Sequence, residues 1–270
     1  MQHRIDLDHC RLQVVVEGAG QPLLLVHGFP LAHRMWSEQI ERLQRHYRVI
    51  APDLRGFGAS SLGEKTLVDQ GISMKQFAAD LAAVLDKLEI AQPVHFCGLS
   101  MGGYIAWQFW KHDPRRVKSL ILCDTRATAD TEEVAQGREM MAVRVLQEGT
   151  DFVAEGMLPK LLAEKNRINR PELVESVRSM IQETSPQTIA AAQRGMAQRP
   201  DCTAMLSSIQ VPVLILVGSE DAITPVDEMR AIAETIPTSR FVEVPDAGHL
   251  APMENPGVVN EALEEFLEAV

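Results

Sequence analysis

The sequence contains one serine whose surroundings are typical of a covalent nucleophile. Ser100 lies at the centre of a G-x-S-x-G motif whose glycines are Gly98 and Gly102. An apolar run at residues 94–97 precedes the motif and a helical pattern at residues 104–110 follows it, which is the strand, turn and helix context of a nucleophile elbow. Glycines relieve the clash that side chains would cause in so tight a turn. The motif therefore predicts a serine hydroxyl raised above a sheet edge, at a helix N-terminus that favours negative charge.

A serine hydroxyl needs a base to take its proton, because it is a poor nucleophile at neutral pH. The chain has eight histidines. His249 is the predicted base, since it follows the last apolar strand pattern, residues 241–244, within a short loop. Such a loop places an imidazole at the carboxyl end of a strand, where it can reach the elbow.

A third group, an acid, must orient the base. Asp221 is the predicted acid because it follows a glycine turn after the apolar run at residues 211–217. The order Ser100, Asp221, His249 is the chain order of this class of triad. Three other carboxylates end strands or flank the same loops and stay open as alternatives: Asp124, Glu220 and Asp246.

Attack on a carbonyl creates an oxyanion, which needs preorganised N–H donors. The predicted donors are the backbone N–H of Met101, directly after the nucleophile, and that of Phe29, in the loop after the apolar run at residues 23–26. His27 is predicted to support that loop. The sequence has no H-E-x-x-H motif, and the glycines at residues 56–58 lack the third glycine of a dinucleotide fingerprint. We therefore expect neither a metal nor an organic cofactor.

The elements that must position these residues alternate along the chain. A helix is predicted over residues 73–88, where Ser73 and Gln76 form a capping box, and another is predicted to begin at Thr224 as the cap with Pro225 in its first position. Unbroken apolar runs indicate strands buried on both faces. Alternation of the two predicts an α/β protein with a mostly parallel sheet and helices on both faces. The strand patterns are residues 11–17, 23–26, 47–51, 94–97, 117–123, 211–217 and 241–244.

One stretch breaks this alternation. Residues 127–205, named here the inserted segment, show helical patterns and no convincing strand. We predict that it forms a helical cap, or lid, over the carboxyl edge of the sheet, and that residues 1–126 and 206–270 form the core domain. An outer helical layer is the alternative. The inserted segment holds six of the 12 methionines, and flexible thioethers suit an irregular apolar pocket.

Composition limits the partners and the location. Lys+Arg 26 against Asp+Glu 37 gives a net charge of -11, which repels phosphate backbones and anionic lipids. Nucleic acid and membranes are therefore not expected as partners. No apolar stretch approaches the ~20 residues of a membrane span, and the first residues lack a signal-peptide pattern, so a cytoplasmic location is expected. The four cysteines show no C-x-x-C and are expected to be reduced core residues. Nothing in the composition indicates the oligomeric state.

These motifs together resemble the α/β-hydrolase superfamily, and within it small serine esterase-like members such as 3-oxoadipate enol-lactonases, carboxylesterases and cofactor-free perhydrolases. The resemblance implies an α/β-hydrolase fold with an eight-stranded, mostly parallel sheet. It also implies Ser100 as nucleophile, Asp221 as acid and His249 as base, with Phe29 and Met101 as oxyanion donors. Dehalogenase and epoxide hydrolase relatives differ, because they place aspartate at the elbow. The matching stretches are residues 23–30, 51–60, 98–102, 217–225 and 246–256.

We expect a serine hydrolase that cleaves carboxylic esters, lactones or thioesters of small to medium apolar molecules through an acyl-enzyme. The methionines and the net negative charge favour neutral substrates. A carboxylated lactone would need an arginine clamp, for which Arg126, Arg138 and Arg144 are candidates. The alternatives are an enol-lactonase-like hydrolase, a perhydrolase that uses peroxide as acceptor, and a ligand sensor that keeps the triad without rapid turnover.

Overall fold

A computed structural model describes residues 1–64 and 66–270 of the chain. Its strands are β1 (Gln2–Asp6), β2 (Arg11–Glu17), β3 (Gln21–Val26), β4 (Tyr47–Pro52), β5 (Val94–Leu99), β6 (Val117–Cys123), β7 (Val213–Gly218) and β8 (Ser239–Val244). Its α-helices are α1 (Ser37–Leu43), α2 (Leu67–Gln70), α3 (Met74–Lys87), α4 (Met101–His112), α5 (Glu132–Glu148), α6 (Asp151–Leu161), α7 (Glu164–Asn169), α8 (Pro171–Glu183), α9 (Pro186–Ala197), α10 (Val226–Thr235), α11 (Ala251–Glu254) and α12 (Pro256–Glu268). Short 3₁₀ turns span His33–Trp36, Pro114–Arg116 and Thr203–Ser208.

The strands form one sheet in the order β1-β2-β4-β3-β5-β6-β7-β8. β2 is antiparallel to both β1 and β4, and all other neighbours are parallel. The eight-stranded, mostly parallel sheet of the α/β-hydrolase fold is thus confirmed. Strand β1 has no counterpart among the strand patterns of the sequence, because only Ile5 of its five residues is buried and its polar side chains face solvent.

The register of the parallel strands brings four strand ends to one edge of the sheet. Leu99 pairs with Cys123, Cys123 with Leu216, and Gly218 with Val244. The loops that follow β5, β6, β7 and β8 therefore start side by side, which is where ligands bind in open α/β sheets.

One helix begins as the sequence predicts and one does not. The hydroxyl of Ser73 accepts the Gln76 N–H at 3.1 Å at the start of α3. The predicted cap of the helix near residue 224 is wrong, because α10 begins at Val226 and Pro225 occupies the N-cap position. The Thr224 hydroxyl instead donates to the Asp221 carboxylate, a charged and therefore strong acceptor.

The inserted segment lies between β6 and β7 and consists of α5 to α9 and the 3₁₀ turn that follows. It packs on the preceding part of the chain as well as on itself, since the Ile72 N–H donates to the Ala191 carbonyl at 2.9 Å. That the inserted segment is a separate cap domain remains a prediction.

All four cysteines are buried and unbridged. Within the described residues, no helix combines the length and the apolarity needed to cross a bilayer.

Candidate active site

Ser100 occupies a strained turn between β5 and α4. Its backbone has φ +52° and ψ -110°, a left-handed conformation that non-glycine residues rarely adopt. The Ser100 N–H donates to the Cys123 carbonyl at 2.9 Å, which holds the turn against β6. A Cβ on Gly98 would lie 2.4 Å from the Gly102 carbonyl oxygen, and a Cβ on Gly102 would lie 2.4 Å from that of Val26. Only glycine therefore fits on either side of the serine.

His249 and Asp221 form a buried pair in the loops after β8 and β7. The Nδ1 atom of His249 lies 2.8 Å from Oδ2 of Asp221. Asp221 also accepts the Thr224 hydroxyl and the backbone N–H groups of Ile223 and Thr224, at 2.7 and 3.0 Å. Burial raises the pKa of Asp221, but the His249 charge and these donors outweigh it and hold the pKa below its usual value. An ionised carboxylate accepts a hydrogen bond from Nδ1–H of His249, which leaves the lone pair of Nε2 free to take a proton.

A cavity of about 480 Å³ joins the serine to this pair, since Ser100, His249 and Phe29 all line it. A Cβ on Gly28 would lie 3.4 Å from the Ser100 Cβ, so the loop that carries Phe29 passes directly beside the serine. The N–H groups of Phe29 and Met101 are not paired with an acceptor in the described part of the chain. The structure therefore brings the five residues proposed from the sequence to one place.

Asp124, an alternative acid, lies close to Asp221 and His249 but in a different environment. It is fully buried, and Oδ1 accepts the Gly218 N–H at 2.8 Å. Oδ2 has no hydrogen-bond partner among the described residues. Burial and the negative charge of Asp221 raise the pKa of Asp124 well above its usual value. Its surroundings therefore favour the neutral form of Asp124, whereas those of Asp221, which contacts the imidazole, favour the ionised form.

The other two alternative acids lie on the surface. Asp246 is exposed and pairs with Lys165 at 2.8 Å, and the side chain of Glu220 is exposed after β7. In the described ranges, the side chains grouped closely enough to ligate a metal are Asp124, Asp221 and His249, whose ligand atoms lie within 4.8 Å of one another. Both oxygens of Asp221 already accept hydrogen bonds from the groups named above.

His27 has the supporting position that its sequence context suggests. Its Nδ1 lies 2.9 Å from the Gly28 carbonyl oxygen, and its Nε2 accepts the Leu54 N–H at 3.0 Å. Burial lowers the pKa of His27 to about 4. The neutral ring therefore ties the loop after β3 to the loop after β4.

Two cationic side chains line the cavity, and the sequence analysis identified only one of them. Arg138 and Lys160 both contribute to the wall. The guanidinium of Arg138 contacts Asp130, which is 1% exposed and also pairs with Arg199. Two arginines thus share one carboxylate, and Arg138 also donates to Oε1 of Gln193 at 3.0 Å. Lys160 makes no ion pair within the described ranges. The wall therefore carries net positive charge on a protein of net charge -11.

The other candidate arginines lie outside the cavity lining. Arg126 donates to the Ile223 carbonyl and to Glu228, and Arg144 is on the surface with Glu148. Lys160 carried no signal in the sequence, because its contribution to the wall depends on where α6 lies in the fold. Of the six methionines of the inserted segment, three line it: Met141, Met157 and Met196.

Comparison with known proteins gives a consistent picture. Residues 21–256 match the family described as alpha/beta hydrolase fold. A thermophilic esterase from Thermogutta terrifontis, solved with malate bound, is 44% identical, with a TM-score of 0.95 and coverage of 100% of this chain and 98% of that chain. The 3-oxoadipate enol-lactonase 2 of Acinetobacter baylyi is 31% identical over 234 residues, 87% of this chain and 84% of the relative. A non-heme haloperoxidase of Rhodococcus erythropolis is 29% identical over 266 residues, 93% of this chain and 94% of the relative.

Proposed function

Because this chain belongs to the α/β-hydrolase fold family, we propose that it is a serine hydrolase which cleaves carboxylic esters, lactones or thioesters through an acyl-enzyme. Ser100 is the nucleophile, His249 the general base and Asp221 the acid that orients it. The N–H groups of Phe29 and Met101 stabilise the oxyanion. The cytoplasmic location remains a prediction, and so does a small ester-type molecule as the substrate.

The observation that carries this proposal is the hydrogen bond between His249 and Asp221 at the wall of a cavity that also contains Ser100. Nε2 of His249 takes the Ser100 hydroxyl proton as Oγ attacks the acyl carbon, and the carbonyl oxygen becomes an oxyanion. His249 then returns the proton to the leaving alcohol or thiol. In the second half, Nε2 deprotonates a water that attacks the acyl carbon, which frees the acid and restores Ser100.

The test is Ser100→Ala, measured on a panel of fluorogenic esters of increasing acyl length. We expect turnover to fall by about 10⁵ or more while the thermal midpoint is retained, because the oxyanion donors and binding contacts remain. A phosphonate should label the wild type once, at Ser100. The exposed Ser208 offers a matched control, since Ser208→Ala should behave as wild type. An active Ser100→Ala enzyme, or labelling at another residue, would contradict the proposal.

Two alternatives use the same residues and are separated by simple assays. A perhydrolase would form peracid from a short acid and peroxide faster than it hydrolyses the matching ester. A ligand sensor would bind an ester with turnover so slow that the bound ester outlasts the assay. Rapid hydrolysis with slow peracid formation supports the hydrolase.

A second candidate function, favoured by the cationic wall, is hydrolysis of esters or lactones that carry a carboxylate. Arg138 and Lys160 add positive charge to a cavity otherwise lined largely by apolar side chains. A carboxylate beside an arginine forms a charge-assisted hydrogen bond, stronger than one between neutral groups. One relative is a 3-oxoadipate enol-lactonase. An apolar acyl chain that ends in a carboxylate fits both features of the cavity.

Lys160→Met tests this second candidate. We expect the wild type to prefer an ester with a terminal carboxylate over a matched neutral butyrate ester at least tenfold in kcat/KM, about 1.4 kcal/mol of transition-state binding. The variant should lose most of that preference, and high salt should weaken it. Lys75→Met, on the exposed face of α3, is the control and should keep it. If the wild type prefers the neutral ester, the second candidate fails and the first stands.

A further inference from the structure

Glu254, at the end of α11, is a buried carboxylate that has no place in the mechanism above. It is 5% exposed and lies five residues after His249. Its Oε1 accepts the Gly248 N–H at 2.7 Å, and its Oε2 accepts the Ala163 N–H and the Asn166 side-chain amide, both at 2.8 Å. One carboxylate therefore joins the histidine loop to the connection between α6 and α7 in the inserted segment.

Other bonds join the same two stretches of chain. The Leu250 N–H donates to the Leu161 carbonyl at 3.2 Å, and the Asn166 amide also donates to the Asp246 carbonyl at 2.8 Å. The approach is close, since a Cβ on Gly248 would lie 2.8 Å from the Ala163 nitrogen. The N–H groups on both sides of His249 are thus bonded either to the inserted segment or to the carboxylate that binds it.

We propose that Glu254 is a positioning residue for His249, which it acts on by fixing the histidine loop against residues 161–166 of the inserted segment. This inference rests on the proposed function, because it assumes that His249 is the base. The Asp221 contact orients the ring of His249, and the Glu254 bonds set the backbone from which that ring projects. The cavity wall at Leu161 and the catalytic base then move as one unit.

The chemistry of the three bonds explains why a carboxylate is needed. Three N–H donors converge on two oxygens, and a carboxyl group can accept all of them because both of its oxygens carry lone pairs. Glutamine would replace one oxygen with an NH₂ group, so at least one buried donor would lose its acceptor. A shift of the loop by about 1 Å is enough to misalign a base and lower the rate by about 100-fold.

The test is Glu254→Gln, assayed with an acetate ester. We expect kcat to fall about 10- to 100-fold while KM stays within twofold of wild type. The reason is that the substitution displaces the base, His249, and leaves the substrate contacts in place. Labelling of Ser100 by a sulfonyl fluoride should slow by a similar factor. The low-field proton resonance of the His249 Nδ1–H bonded to Asp221 should shift or broaden. This resonance reports on the alignment of the base directly, whatever the substrate.

Two further variants separate positioning from stability. Val259→Ala removes a buried methyl pair on α12 and should lower the thermal midpoint while leaving kcat unchanged. Asn166→Leu keeps the carboxylate but removes a donor, so kcat should fall in the same direction. The double variant with Glu254→Gln should lose less than the product of the two single losses, because both break one network.

The inference is overturned if Glu254→Gln lowers the thermal midpoint but retains kcat and the His249 resonance, or if the loss is confined to KM. Failure of the proposed function is a separate result. It would show as an active Ser100→Ala enzyme, whatever the Glu254 variants do.

Discussion

Two aspartates lie close to the same imidazole, and their pKa values are shifted in opposite directions. Asp221 receives hydrogen bonds on both oxygens, and its pKa is lowered. Asp124 has one oxygen without a partner in the described part of the chain, and burial with the Asp221 charge raises its pKa. Two buried carboxyl groups so close cannot both be ionised cheaply. These surroundings favour the negative charge on Asp221 over Asp124, between which strand-end position alone did not decide.

Asparagine variants test that assignment. Asp221→Asn should cut turnover by about 10⁴, because an amide holds the imidazole in the wrong tautomer. Asp124→Asn should stay within about threefold of wild type, since a neutral amide replaces a neutral carboxyl group of the same size. Glu220→Gln is the surface control and should have no effect. An inactive Asp124→Asn beside a nearly normal Asp221→Asn would mean that the acid is Asp124.

His95 allows a pH prediction that is independent of catalysis. It is 1% exposed on β5, its Nδ1 lies 2.7 Å from the Ser119 hydroxyl, and burial lowers its pKa to about 4. The unfolded chain takes up this proton near pH 6.5, about its model-peptide value. The stability from a neutral His95 is therefore present above that pH and is lost as the pH falls towards about 4.

Urea unfolding at a series of pH values measures this effect. Between about pH 6 and 4.5, the free energy of unfolding of the wild type should fall faster than that of His95→Gln, by up to about 1.4 kcal/mol per pH unit. His112→Gln, at the exposed end of α4, should follow the wild type. Parallel curves for wild type and His95→Gln would mean that folding does not lower the pKa of His95.

At the scale of elements, the elbow shows how far sequence reasoning reaches. The strand, glycine turn and helix around Ser100 could be predicted because each depends on residues within a few positions. The start of α10 could not, because the hydroxyl of Thr224 binds Asp221 instead of capping the helix. A helix-start pattern fails where another side chain nearby in the chain competes for the capping hydroxyl.

Two glycine substitutions compare the elbow with an ordinary helix. Gly102→Ala would place a Cβ 2.4 Å from the Val26 carbonyl oxygen, so the backbone must shift, at a cost of about 1–3 kcal/mol. Because this shift displaces the elbow, covalent labelling of Ser100 by a phosphonate should also become slower. Gly137→Ala on α5 meets nothing within 4 Å and should stabilise the protein by up to about 1 kcal/mol. Unchanged Ser100 labelling in Gly102→Ala would show that the turn tolerates a side chain.

At the scale of the whole molecule, the sheet and the inserted segment share one buried core. The same apolar cluster contains Leu216 of β7 and Val177, Ile181 and Ile189 of the inserted segment. The class of fold could be predicted from periodicity, and so could the three strand ends that are followed by Ser100, Asp221 and His249. The roles of Lys160 and Glu254 could not, because each depends on where the inserted segment lies against the rest of the chain, and sequence spacing carries no information about that placement.

A shared core predicts cooperative unfolding. We expect a single calorimetric transition with equal calorimetric and van't Hoff enthalpies, and coincident far-UV and near-UV melting curves. Covalent labelling of Ser100 by a phosphonate should shift the midpoint temperature of the unfolding transition, which should remain a single transition. Two resolved transitions, with the earlier one confined to helix signal, would show that the inserted segment unfolds by itself.

The position of the inserted segment in the chain also affects synthesis. Strand β6 pairs with β7 in the finished sheet, yet about 90 residues separate them. At about 5–20 residues per second, a ribosome needs about 5–18 s to make that stretch. Throughout this interval one edge of β6, whose residues 119–123 are all buried in the final fold, has no strand to pair with. Unpaired apolar edges recruit other chains, so the nascent protein is most exposed to aggregation, and most in need of a chaperone, while its helical segment is being translated.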